Sequence, residues 1–246
     1  MISTSTIVDV IPQLATVQGA KVLDIGSGVG GLVRALIKQG GNVFGIEPNP
    51  ANVVLSQQSD PEHADHYKVA GAEGLPFENG EFDLVVFSNS LHHVPVDLQH
   101  LGMQEAARVL KNGGQAIVAE PVPLGAHFNL SQPMEDETDV RNAALAAILD
   151  TANHGLGVEQ ETSFIRATPY ASFDDYHKAM ILVDPAREQA FVERGDALRE
   201  NFVKYARMDG GISIFDQEIR VHLLRKAERT DKSLFLIKWL DLNPFR

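Results

Sequence analysis

The 246-residue sequence contains no cysteine. Disulfide staples, thiolate nucleophiles and Cys-ligated zinc or iron–sulfur centres are therefore excluded. Basic residues are scarce: 21 Lys and Arg stand against 33 Asp and Glu, a net charge of −12. A protein that tracks a nucleic-acid backbone needs a cationic face, so this balance argues against a nucleic-acid partner. Long apolar runs are also missing, and none reaches the ~18 residues that a membrane-spanning helix requires. The first residues, Met1-Ile2-Ser3-Thr4-Ser5-Thr6, lack the basic start of a secretory leader. The expected address is the cytoplasm, with no membrane partner. What is present is ordinary for a globular protein: 44 % hydrophobic and 22 % charged residues, in a chain long enough to bury a core without staples.

Short apolar runs alternate with helix-like stretches through the first half. Val22-Leu23-Asp24-Ile25, Val43-Phe44-Gly45-Ile46, Tyr67-Lys68-Val69-Ala70, Leu84-Val85-Val86-Phe87 and Ala116-Ile117-Val118-Ala119 are the expected strands. The fourth is apolar on both faces, as a central parallel strand must be. Leu32-Val33 and Leu36-Ile37 carry helical spacing, Pro50 opens a further helix, and Asn112-Gly113-Gly114 ends another. This alternation predicts an α/β, doubly wound parallel sheet with right-handed crossovers. After Pro121 the pattern changes. Residues 122–133 read as a loop, Val140 to Ile148 as a helix, 164–167 as a short strand, 173–208 as helical and 214–224 as a long late strand. One domain over 1–230 is expected, with 173–208 as a helical cap or insertion. Residues 231–246 form an apolar extension in which Phe235 and Trp239 are too apolar to stay uncovered, so it packs on the body or joins a homodimer.

The first strand runs into Asp24-Ile25-Gly26-Ser27-Gly28-Val29-Gly30-Gly31. Gly26, Gly28 and Gly31 satisfy GxGxxG, so an NAD(P)-dependent oxidoreductase is one reading. The glycines permit close approach of a ligand to the backbone, and the following helix N-terminus favours negative charge. Asp24 separates the readings. A carboxylate at the strand end repels a pyrophosphate, whereas a zwitterionic amino acid can face its ammonium to Asp24 and its carboxylate to the loop amides. Glu47 ends the second strand and offers two acceptors to a ribose diol, which would serve either kind of cofactor.

Val22 to Gly30 resembles the first motif of the class I S-adenosylmethionine-dependent methyltransferases, and Gly45-Ile46-Glu47-Pro48-Asn49 is similar to the second. Ala70-Gly71-Ala72-Glu73-Gly74-Leu75-Pro76-Phe77 resembles the third, which borders the adenine; many relatives carry Asp where this chain has Gly71. Phe82 to Val94 is similar to the family's fourth strand and its exit, and Arg108 to Gly114 to the turn before the fifth. The resemblance implies a Rossmann-like, mostly parallel seven-stranded sheet with an antiparallel late strand. It implies S-adenosyl-L-methionine as cofactor, held by Asp24, Gly26, Ser27, Gly28, Gly30, Glu47, Pro48, Gly71, Ala72, Glu73, Ser88 and Asn89. The family's tyrosine-bearing first helix has no counterpart, since the first tyrosine is Tyr67.

Candidate catalytic groups lie where the strands end. His92 and His93 follow the fourth strand and Glu120 ends the fifth, at the edge where α/β sheets bind ligands. His92 is the preferred general base, because imidazole is matched to neutral pH; His93 is expected beneath the cofactor. Glu120 can bind an amine, act as a base, or hold loop amides. His127 is a weaker candidate and Asp83 is expected to be structural. His63-Ala64-Asp65-His66 has no third ligand and reads as a solvated loop, so no metal is expected. The expected function is methyl transfer to a small-molecule acceptor at oxygen, nitrogen or carbon. A non-catalytic S-adenosylmethionine-binding module is a further alternative.

Overall fold

The computed structural model describes residues 5–228. The chain opens with α1 (Ile7–Leu14) and then alternates: β1 (Lys21–Ile25), α2 (Gly31–Lys38), β2 (Asn42–Glu47), α3 (Pro50–Ser59), β3 (Tyr67–Val69), β4 (Phe82–Ser88), α4 (Gln99–Val109) and β5 (Leu110–Pro121). Next come α5 (Ala126–Ser131), α6 (Thr138–Leu149), α7 (Thr151–His154), β6 (Leu156–Tyr170), α8 (Phe173–Val183), α9 (Glu188–Tyr205), β7 (Arg207–Asp209) and β8 (Ile212–Lys226). The sheet runs in the order β3-β2-β1-β4-β5-β8-β6, with β7 paired to β8. Strands β1 to β5 are parallel to their neighbours, and β8 is antiparallel to both β5 and β6.

Alternation along the strands divides the core between the two faces. Val22, Leu84, Val86, Ile117 and Ala119 pack with α1 and α2, while Leu23, Ile25, Val85, Phe87 and Val118 pack with α4 and α6. Side chains two residues apart share a face, so both faces of the central strands are covered, as a parallel sheet requires. A third cluster, including Tyr176, Phe191, Leu198, Phe202 and Phe215, joins α8 and α9 to the far end of β8.

The expected α/β sheet stands, with five differences in detail. An eighth strand, β7, adds to the seven expected. It pairs with β8 through Gly210-Gly211, whose φ values of 55° and 85° suit a two-residue hairpin. The short strand expected at 164–167 is the middle of the 15-residue β6, whose length comes from its pairing along β8. The expected loop at 122–133 contains α5, which buries Phe128 and Leu130. Strand β5 begins earlier than expected and takes in Asn112-Gly113-Gly114, with its register against β4 shifted there. Helix α1 was not expected; Thr6 and Asp9 form its capping box, with Thr6 N and Oγ1 both donating to Asp9 Oδ2 at 3.1 and 2.6 Å. No helix among the described residues is long and apolar enough to cross a membrane. The apolar stretch 231–246 lies outside the described residues.

Candidate active site at the carboxyl edge of the sheet

The loop after β1 is built by glycines. Gly26 (φ 78°) and Gly30 (φ 75°) sit in left-handed backbone, where a side chain is strained. A Cβ on Gly26 would collide with Ser90 Cβ, and one on Gly30 would lie 2.7 Å from the Tyr67 ring. The amides of Gly26 and Ser27 both donate to the Ile46 carbonyl, at 2.9 and 2.8 Å, and Gly30 N donates to Ser27 O at 2.9 Å. Gly28 N donates to Glu47 Oε2 at 3.1 Å. The N–H groups at these four positions thus shape the loop itself.

Two buried acids flank this loop. Asp24 is 2 % exposed, and no donor among the described residues reaches its carboxylate. Burial, and second the charge of Glu47, push its pKa up to about 7. Glu47 accepts from Gly28 N, from Asn49 N at 3.1 Å and from Asn52 Nδ2 at 3.4 Å. Each carboxylate oxygen has two lone pairs, so acceptor capacity remains for a ligand hydroxyl. Pro48 lies exposed beyond it, and Asn49 caps α3 through Ala51 N at 3.0 Å.

Gly71, Ala72 and Glu73 form the turn after β3. Ala72 is buried and Glu73 is exposed. A Cβ on Gly71 would collide with the Glu73 carboxylate. Glu73 thus fills the space that an acidic side chain at position 71 would take.

The exit of β4 is tied to its neighbours. Ser90 Oγ donates to Ile25 O at 2.6 Å, and Asn89 N to Ala119 O at 2.8 Å. Asn89 has φ 52°, and its Oδ1 accepts from Arg166 Nη1 at 3.4 Å. Ser88 is half-buried at the strand end.

Glu120, 7 % exposed, closes the same edge from β5. Its Oε1 accepts from Ser90 N and Leu91 N at 3.1 and 2.8 Å, and its Oε2 is hydrogen-bonded to His92 Nδ1. His92 is 5 % exposed, and its Nε2 faces Glu137 Oε1 at 3.9 Å. The other Glu137 oxygen pairs with Arg141. His93 stacks on His92 with ring centroids 4.1 Å apart and is exposed. Its pKa is lowered by burial against its neighbours and second by His92, which leaves the ring neutral at pH 7. The expected placement of the two histidines is thus reversed. His92 is the buried ring, because its Nδ1 is clamped by Glu120, and His93 is the ring that meets the open edge. Ligand-type atoms of His92, His93 and Glu137 lie within 4.8 Å of one another, but Arg141 already supplies the positive charge beside Glu137.

The other sequence candidates have partners of their own. His127 Nε2 meets Tyr170 Oη at 3.3 Å. Burial, then Arg166 and Arg141, push the His127 pKa down to about 4. Asp83 binds Lys21 N at 2.9 Å and Lys111 Nζ at 2.6 Å, at the opposite end of the strands. His66 is not a solvated loop residue: it stacks on Phe44 at 4.3 Å and binds the Val43 carbonyl through Nδ1 at 2.8 Å. A cavity of about 710 Å³ opens beside α8 and α9, lined by Phe173, His177 and Phe191 among others, and contains none of the strand-end residues. Sequence reasoning missed Ser90, Glu137, Arg141 and Arg166. Ser90 lies within the Phe82–Val94 stretch, whereas Glu137, Arg141 and Arg166 sit in no motif and reach the edge only through tertiary contacts.

Strand order, glycine loop and paired acids define a Rossmann-like methyltransferase fold. Residues 23–118 match the family described as a methyltransferase domain. An uncharacterized methyltransferase of Mycobacterium sp. (strain JLS) is 34 % identical over 112 residues, 44 % of this chain and 43 % of that one. The chloroplastic tocopherol O-methyltransferase of Arabidopsis thaliana is 37 % identical over 117 residues, 45 % of this chain and 32 % of that one. The matches thus span less than half the length of these curated relatives. A crystal structure from Bacillus halodurans C-125, provisionally assigned as a methyltransferase, superposes with a TM-score of 0.64 at 19 % identity, over 91 % of this chain and all of that one. Over residues 23–118 the chain is therefore similar to a methyltransferase domain.

Proposed function

We propose that the protein transfers a methyl group from S-adenosyl-L-methionine to a small-molecule acceptor. The observation that carries this is the pair of buried acids, Asp24 and Glu47, at the ends of β1 and β2 around the glycine loop. Asp24 opposes a dinucleotide pyrophosphate and suits an ammonium, while Glu47 suits a ribose diol. A small-molecule acceptor is supported by the acidic composition and by the tocopherol O-methyltransferase relative.

When bound, the cofactor supplies a sulfonium methyl as electrophile. The chain's task is to hold the acceptor in line and exclude water, and orientation of this kind contributes about 7–11 kcal/mol in favourable cases. His93, neutral and exposed at the edge, takes the proton from a hydroxyl or ammonium acceptor. His92 and Glu120 position the turn that carries it. The helices α8 and α9 serve as a cap that sets acceptor choice, within a single domain over 1–230. The same reading includes a cytoplasmic address, resting on the cysteine-free, acidic composition, and a homodimer through 231–246, resting on that segment's apolar sequence.

Calorimetric titration with S-adenosylmethionine, S-adenosylhomocysteine and NADH tests the cofactor. Binding of both sulfur compounds and not NADH is expected; the converse overturns the assignment. Release of S-adenosylhomocysteine in an acceptor screen distinguishes an enzyme from a binding module.

A further inference from the structure

The two acids account for the ammonium and the ribose of the cofactor, but they repel its α-carboxylate. The loop amides of Gly26, Ser27, Gly28 and Gly30 are occupied within the chain. A cation at the edge would neutralise that carboxylate with a full charge, which backbone amides do not carry. Two nearby cations are committed: Arg34 Nη1 binds Val29 O at 2.8 Å, and Arg141 pairs with Glu137.

Arg166 differs. It stands on β6 and reaches the exit of β4, where Nη1 makes a long 3.4 Å bond to Asn89 Oδ1. Its Nε is buried and has no hydrogen-bond partner. Among the described residues no carboxylate forms an ion pair with it; Glu137, an acid that acts on it at longer range, is taken by Arg141. Burial and then Arg141 lower the pKa of Arg166, the direction expected of a cation that lacks its counter-ion. Ser5 N donates to Ile165 O at 3.3 Å, so the lead-in to α1 runs alongside this end of β6. A half-buried guanidinium with an unused N–H and no acid opposite is arranged to receive a planar anion.

We propose that Arg166 receives the α-carboxylate of the cofactor's methionine end across the exit of β4. This rests on the S-adenosylmethionine reading above. Arg166 is then a cofactor-binding residue supplied from outside residues 23–118, the matched methyltransferase segment.

The test compares S-adenosylmethionine with its decarboxylated form, which keeps the ammonium, ribose and adenine, by calorimetry on wild type and Arg166→Gln. Wild type should prefer the carboxylate-bearing compound. Arg166→Gln should weaken S-adenosylmethionine about 10- to 100-fold, the range for a charge-assisted pair. It should leave the decarboxylated form within about twofold, since that form lacks the charge-assisted partner; its retained binding also reports an intact fold. If the variant weakens both compounds alike, or neither, the proposal is overturned; the unaffected case would assign Arg166 to an anionic acceptor instead. If wild type binds neither compound, the cofactor reading itself fails. Should Arg166→Gln not fold, side-chain Nε–Hε resonances of the wild type decide, with Arg166→Lys identifying the signal. S-adenosylmethionine should shift the Arg166 resonance and the decarboxylated form should not; an unmoved resonance overturns the proposal.

Discussion

Glu47 acts on Asp24 across the β1–β2 pair. Asp24 is in register with Gly45 and Glu47 lies two residues further on. The Glu47 charge adds to burial in raising the Asp24 pKa to about 7. The fold thus holds an acid whose charged form is disfavoured until a cation arrives, and the cofactor's ammonium is such a cation.

That relationship makes stability pH-dependent. The folded pKa of Asp24, about 7, lies well above that of an ordinary aspartate, so the folded state holds the proton more tightly. The contribution is present below about pH 4 and is lost as pH rises to about 7, on the order of 4 kcal/mol at most. Asp24→Asn should flatten this slope, raise the Tm of the ligand-free protein near pH 8, and weaken S-adenosylmethionine binding. Thermal denaturation between about pH 4.5 and 8 reads the slope. An unchanged slope in the variant would show that Asp24 ionises normally.

Adenine recognition should depend on Glu73. Its carboxylate occupies the space beside Gly71, so it is placed to accept from the adenine amino group. Glu73→Ala should weaken S-adenosylhomocysteine by about 1–3 kcal/mol. The analogue lacking the 6-amino group should bind wild type and variant equally. If the variant binds S-adenosylhomocysteine normally, backbone or water serves the amino group.

The two histidines should separate in kinetics. His93→Ala should lower turnover about 10²-fold or more while leaving S-adenosylmethionine affinity nearly unchanged. His92→Ala should cost stability as well, because Glu120 Oε2 loses its buried partner at His92 Nδ1, a penalty of about 1–3 kcal/mol. Denaturation and turnover measured on both variants check the assignment. Full turnover in His93→Ala, with an acceptor that arrives protonated, would leave catalysis to positioning alone.

Strands β1 to β5 and the glycine loop were legible because their causes are local. A strand buried on both faces must be apolar throughout, as Leu84 to Phe87 are, and left-handed backbone selects glycine at Gly26 and Gly30. The same locality exposed Asp24 and Glu47 as strand-end acids. Helix α1 was also marked, by Thr6 and Asp9 and by the helical spacing of Ile7, Val10, Ile11 and Leu14, but its eight residues contain Pro12. Its stability comes from packing Ile11 against the sheet. Strand β6 is largely polar between Glu159 and Ser163, and only its antiparallel ladder with β8 makes it a strand.

The positions of the central strands, the identity of the loop and the two acids were properties of the sequence itself, since each follows from residue type and neighbouring positions. Which histidine is buried was not. His92 and His93 are adjacent, and Glu120, 28 residues away from His92, selects between them by taking His92 Nδ1. Arg166 and Asn89 meet across 77 residues. That no carboxylate among the described residues pairs with Arg166 was decided by tertiary structure alone, because ion pairing depends on everything folded around a charge.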